Sequence, residues 1–168
     1  MLEASFTQLP PWDAWSAVDR ATLVFVRRGD EVLLIRKLRG LGAGKINGPG
    51  GRLEPGESAI DCARREVEEE VCVTPTGLEQ RGELRFQFVD GHSIHGFVFV
   101  ATGYIGEPKS TDEAIPLWFR CDLIPYHEMW ADDRLWMPLL LDGKHFRGRF
   151  VFDGDSMVQH ELVALQPG

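Results

Sequence analysis

Two apolar runs open the ordered pattern of the chain: residues 21–27 (ATLVFVR) and 31–36 (EVLLIR), separated by Arg28-Gly29-Asp30. β-Branched and large apolar side chains on either side of a glycine turn predict a β-hairpin. Residues 37–49 (KLRGLGAGKINGP) are glycine-rich and predict a loop. Past Glu57 the period changes. On a helix advancing about 100° per residue, Ile60, Ala63, Val67 and Val71 share one stripe, the expected buried face. Ser58 stands where the helix should start and is the expected N-cap. Alternation returns in residues 82–89 (GELRFQFV) and 93–102 (SIHGFVFVAT), a second pair of strands joined through Asp90-Gly91. A turn at Gly106-Glu107-Pro108 leads to a short strand at 116–120, and a helical turn is expected within 124–130. Residues 132–141 (DDRLWMPLLL) predict a helix with Pro138 as a source of kinking. Residues 145–152 and 156–165 predict a last hairpin across Asp153-Gly154.

Strands interleaved with two helices predict an α/β fold, a mixed sheet covered by helices on both faces. The 168 residues suit one domain, with residues 1–19 as an N-terminal arm and 20–168 as the folded unit. The arm carries Pro10-Pro11, Trp12 and Trp15 and is expected to pack by its tryptophans on the domain or on another subunit. Hydrophobic content of 43% with 26% charged residues is ordinary for a globular chain. A formal charge of −8 argues against a nucleic-acid or anionic-membrane binder, and no apolar run approaches a membrane span. A small phosphate-bearing substrate stays open, because bound metal ions invert the local field. The N-terminus lacks the basic and apolar regions of a secretory signal. Cys62, Cys72 and Cys121 are odd in number without a CxxC pair, so neither a disulfide framework nor a zinc site is expected. A reducing, cytoplasmic setting follows from that reading. A monomer or small homo-oligomer is expected. The five histidines show no ligand spacing and receive no role.

The candidate chemistry lies on the first helix. Glu66, Glu69 and Glu70 fall within one arc of roughly 100° beside the apolar stripe. Like charges at that spacing destabilise a helix, and a cation would offset the cost. Clustered hard oxygen ligands suit Mg²⁺ or Mn²⁺, although a solvated acidic face has the same sequence. Gly48, Gly50, Gly51 and Gly56 just before the helix let backbone approach a ligand closely.

Gly51, five residues, Glu57, seven residues, then Arg65-Glu66-Val67-Glu68-Glu69-Glu70-Val71-Cys72-Val73 resembles the Nudix box, G-x5-E-x7-R-E-U-x-E-E-x-G-U. One position departs: Cys72 stands where the family has the glycine that ends the helix. Within the family, LRGLGAGKINGPGGRLEPGE, GELRFQF and the stretch from Ser110 to Gly154 are similar to the mammalian-type MutT homologues, the oxidised purine nucleoside triphosphatases. The resemblance implies a Nudix α/β/α sandwich and the metal-dependent hydrolysis of a modified purine nucleotide, such as 8-oxo-dGTP or 2-oxo-dATP, to monophosphate and pyrophosphate.

It also implies roles. Gly50 (through its carbonyl), Glu66, Glu69, Glu70 and Glu113 would hold the metal. Glu70, or in second place Glu66, would act as general base. Arg65 would pair with Glu57 in structural support. Thr22, Lys37, Asn47, Phe86, Trp130, Asp132, Asp133 and Trp136 would bind substrate, with an indole stacked on the purine. The two adjacent acids would read its edge by dividing one proton between them. Without the resemblance, Trp136 reads as core and Asp132-Asp133 as a helix N-terminus. Leu41 stands where that group has phenylalanine, so one wall of the pocket should differ in shape. Hydrolysis of ADP-ribose or a dinucleoside polyphosphate, or nucleotide sensing without hydrolysis, are the competing expectations.

Overall fold

The computed structural model describes residues 10–165. Eight strands form one mixed sheet among them: β1 (Asp19–Arg28), β2 (Glu31–Lys37), β3 (Ile46–Asn47), β4 (Thr74–Phe88), β5 (Ser93–Ile105), β6 (Ala114–Arg120), β7 (His145–Asp153) and β8 (Ser156–Leu165). Two α-helices, α1 (Ala59–Val71) and α2 (Asp133–Leu141), cover it from opposite sides. The order runs β3-β2-β1-β5-β4-β7-β8, and β6 pairs with β2.

The apolar patterns explain the layers. Successive side chains of a strand point to opposite faces. Val24, Val26, Leu33, Ile35, Phe99 and Ala101 therefore meet Ala63, Val67 and Val71 of α1. Their neighbours Phe25, Val32, Leu34, Val98 and Val100 meet Trp136, Met137 and Leu140 of α2. The continuous run in β2 buries Val32, Leu33, Leu34 and Ile35 together because that strand is covered on both faces.

Three differences from the sequence expectations have physical causes. The first two strands pair only over Val26–Arg28 and Leu33–Glu31, because residues 46–53 take the rest of both facing edges: β3 pairs with Ile35 and Arg36 of β2, and Pro49, Gly51 and Leu53 bond to Val24, Thr22 and Arg20 of β1. Ile60 is 41% exposed, whereas Cys62, Glu66 and Glu70 are buried. The buried face of α1 is thus rotated from the apolar stripe toward two carboxylates. Strand β4 begins at Thr74, eight residues before the expected start at Gly82. Among the described residues it is paired there on the β5 side alone, and a bulge at Gln80/Gly82 precedes its pairing with β7.

The arm is structured within the described residues: Trp12–Ala14 is a 3₁₀ turn, and Trp15 Nε1 donates to Gln87 Oε1 at 2.9 Å. The expected helical turn is a 3₁₀ turn at Tyr126–Glu128. No described helix is long and apolar enough to cross a membrane.

Candidate active site

Helix α1 starts where its cap predicts, with Ser58 Oγ accepting from the Asp61 amide at 3.2 Å. It ends on Cys72, whose φ of 66° is left-handed, the conformation that glycine adopts at no cost. Cys72 therefore keeps the helix end that glycine would give, under strain.

Between these ends, Arg65 acts as a hub. Its Nε and Nη2 meet Glu57 Oε2 at 2.7 Å and Oε1 at 2.8 Å, a two-pronged pair across the loop. The Arg65 guanidinium holds Glu57 down at about 2. Arg65 Nη1 also reaches Glu66 Oε1 at 2.9 Å and Glu69 Oε2 at 3.2 Å. That contact orients Glu66 and draws Glu69 away. The Glu69 side chain is half exposed and stands outside the carboxylate group that the fold assembles.

That group consists of Glu66, Glu70 and Glu113, each of which brings one carboxylate oxygen within 4.8 Å of the others. Glu113 arrives from the turn before β6, and Thr111 fixes it there. Thr111 Oγ1 donates to the Glu70 carbonyl at 2.8 Å and accepts from the Glu113 amide at 3.2 Å. Thr111 escaped the sequence reading because a loop threonine carries no periodic signal. Arg39, also unassigned there, pairs with Glu113 Oε1 at 3.1 Å. Glu70 is 6% exposed, and its Oε2 has no hydrogen-bond partner among the described residues. Burial, reinforced by Glu66, pushes its carboxyl up to about 8, and Glu66 is raised by burial too. Gly51 lies so close to this group that a Cβ there would sit 2.4 Å from Glu66 Cδ. Buried, mutually repelling hard oxygens with an unpartnered atom fit a divalent cation.

A cavity of about 510 Å³ continues from the carboxylates. Gly50, Glu66, Glu70, Glu113 and Lys37 line it, as do Thr22, Asn47, Phe86, Trp130, Asp132 and Asp133. Asn47 Nδ2 is buried in its wall without a hydrogen-bond partner among the described residues. Phe86 stacks on Phe150, with ring centres 5.5 Å apart. Leu41, half exposed, stands in the wall that also holds Phe88, His92 and Phe152, which sequence reasoning left unassigned.

Trp136 differs from its expected place. It is fully buried, stacked on Phe146 and edge-on to Phe25, and does not line the cavity. Its helical spacing with Leu140 puts it in the core, and its one donor goes to Asp132 Oδ2 at 2.7 Å. Asp132 stands at the N-cap of α2, yet its side chain makes no capping bond. Burial pushes Asp132 up to about 6, opposed by the Trp136 hydrogen bond. Asp133 is raised further, by burial and by the Asp132 charge beside it. Trp130 stands in the wall itself, with Lys45 Nζ 5.1 Å from its ring centre.

Comparison with known proteins matches residues 18–140 to the NUDIX domain. The chain is 46% identical over 147 residues to an oxidized purine nucleoside triphosphate hydrolase of Danio rerio, covering 86% of this chain and 94% of that one. It is 40% identical to the protein of that name from Mus musculus, covering 84% and 92%. A mutator MutT protein of Bacillus halodurans superposes with a TM-score of 0.78 at 29% identity, covering 86% of this chain and 97% of that one.

Proposed function

The chain belongs to the Nudix family, whose members generally use divalent cations, and from that premise we propose that it hydrolyses oxidised purine nucleoside triphosphates to monophosphate and pyrophosphate. One observation carries the reading: a single cavity joins the acidic group Glu66, Glu70 and Glu113 to the Trp130, Asp132 and Asp133 wall. Phosphate chemistry and base recognition then occupy one volume, and about 500 Å³ is within the range of small-molecule sites.

Glu66, Glu70, Glu113 and the Gly50 carbonyl would hold Mg²⁺, or Mn²⁺ in its place. The cation supplies charge neutralisation of the phosphates and acidification of the attacking water. Burial keeps a proton on Glu70 in the metal-free site, and with the cation bound its carboxylate would be ionised and would serve as general base toward the water, with Glu66 as the second candidate. Arg65 and Glu57 hold the loop and Glu66 in place. Glu69 serves that ion-pair network, and Lys37 adds positive charge beside the phosphates.

At the far wall Trp130 stacks on the purine, with Phe86, Asn47 and Thr22 around it. Asp133, its proton held by burial, donates to the base edge. Asp132, raised less and so the first of the two to give up its proton, accepts from it. An oxidised purine changes its edge pattern of donors and acceptors, which is what two acids sharing a proton can match.

The test is pyrophosphate release with Mg²⁺ from dGTP, 8-oxo-dGTP, 2-oxo-dATP, an alkylated purine triphosphate, ADP-ribose and a dinucleoside polyphosphate. Preference for a modified purine triphosphate is the expected result. Preference for ADP-ribose or the dinucleotide would retain the metal site and remove the purine reading. Hydrolysis of none would point to nucleotide sensing.

A further inference from the structure

Residues 10–17 precede the matched family domain, yet they are bound to its sheet. Trp12 and Trp15 pack together with ring centres 5.4 Å apart. They lie against β4 and β7, with Arg85 5.7 Å from the Trp15 ring centre and Arg149 5.7 Å from that of Trp12. The Val18 amide donates to Ser93 Oγ at 2.8 Å, and Ser93 is buried. A merely greasy cover would need no directed polar contact, but this segment makes one with a consequence.

The Trp15 indole N–H donates to Gln87 Oε1 at 2.9 Å. The other end of the same amide, Gln87 Nε2, donates to the Phe88 carbonyl at 2.9 Å and the His92 carbonyl at 3.2 Å. Those carbonyls belong to the turn joining β4 to β5, closed by the Phe88 amide donating to His92 O at 2.9 Å. An amide has one accepting and one donating end. With its oxygen taken by the indole, Gln87 must present its NH₂ to the turn, whereas the flipped amide would set oxygen against two carbonyls. Trp15 thus reinforces, from the accepting end of the amide, the orientation on which the turn's geometry depends.

The turn is also cavity wall. Phe88 and His92 both line the cavity, and the Phe88 ring meets Trp130 edge-on with centres 6.2 Å apart. His92 Nε2 lies 3.6 Å from Asp19, another lining residue. We propose that Trp15, acting through Gln87, positions the 88–92 wall against the base-stacking indole and so sets how tightly this chain holds an oxidised purine. Trp15 and Gln87 are positioning residues, and their effect rests on the oxidised-purine reading given above.

The test uses the full chain with Trp15→Phe, which keeps an aromatic ring and removes the donor, Gln87→Met, and the double variant. kcat and KM are measured with Mg²⁺ for 8-oxo-dGTP and dGTP. KM for 8-oxo-dGTP should rise about fivefold in either single variant with kcat within about twofold of the parent, from loss of one orienting hydrogen bond. The double variant should lose little more than either single one, because both changes remove the same link. Unchanged KM values in variants whose melting temperature has fallen would overturn the proposal and leave the segment a stabilising cover. If the parent chain hydrolyses neither nucleotide, the functional reading fails separately. The link is then read from the Phe88 and His92 backbone amide resonances in Trp15→Phe: displaced signals support it, and unmoved signals overturn it.

Discussion

Trp136→Phe isolates one hydrogen bond beneath the base-reading wall. The substitution removes the Nε1 donor that meets Asp132 Oδ2 at 2.7 Å, with both residues almost wholly buried. Two costs follow. The smaller ring leaves a gap among Phe25, Phe146 and Leu140, a loss of about 1–2 kcal/mol that does not depend on pH. The lost bond is worth about 1 kcal/mol when Asp132 is neutral and about 2–3 kcal/mol when it is charged. Asp132 is pushed up to about 6 in the fold from an ordinary 3.8. The folded state therefore binds its proton more tightly, and this group's contribution to stability declines as pH rises from about 4 to about 6. Without the indole the carboxyl rises further, so the decline continues to higher pH. The deficit of the variant should accordingly grow by about 1–2 kcal/mol between pH 5 and pH 8. Urea unfolding midpoints with unchanged m-values measure it. A deficit that is the same at both pH values would refute the charge-assisted bond and return Trp136 to a purely apolar role.

Glu70→Gln should lower turnover by about 10²–10⁴-fold, because an amide cannot accept the water's proton, while nucleotide binding by calorimetry survives. Substantial residual turnover would move the base to Glu66. Mg²⁺ should bind more tightly as pH rises, by up to roughly tenfold per unit below about 8, because Glu70 releases its proton on binding. Titrations in buffers of different ionisation enthalpy count that proton, and a pH-independent affinity would remove Glu70 as a ligand. Cys72→Gly should stabilise the fold by about 1 kcal/mol, relieving a side chain held at positive φ, and raise the melting temperature by about 2–4 °C. A fall in melting temperature would show that the thiol contributes packing that the left-handed geometry does not reveal.

Much of this architecture can be read from local pattern. Ser58 caps α1, Asp90-Gly91 closes the β4–β5 turn, and Asp153-Gly154 closes the last hairpin, because turn and cap chemistry is local. The pairing of β1 with β5 and of β2 with β6 is not local, and strand alternation says nothing about which neighbour a strand takes. The site divides in the same way. Glu66 and Glu70 are marked by helical spacing, and Trp130, Asp132 and Asp133 by resemblance. Glu69 shares the arc with Glu66 and Glu70, but Arg65 one turn earlier claims it. Trp136 shares the apolar spacing of Leu140, which by itself reads as core and which the resemblance set aside, whereas only three-dimensional placement shows that its N–H serves Asp132. Thr111 and Gln87 act through hydrogen bonds that reach across the chain, to Glu70 and from Trp15, and neither leaves a trace in composition or period.

The most direct test of the joined site is the ratio of kcat/KM for 8-oxo-dGTP to that for dGTP, with Mg²⁺, in the parent chain and in Asp132→Asn. The parent should favour the oxidised base strongly. The variant, with a donor added where Asp132 accepts, should lose or reorder that preference while still releasing pyrophosphate through the intact Glu66, Glu70 and Glu113 group. An unaltered ratio would contradict the account, because base selection would then lie outside the buried pair of acids.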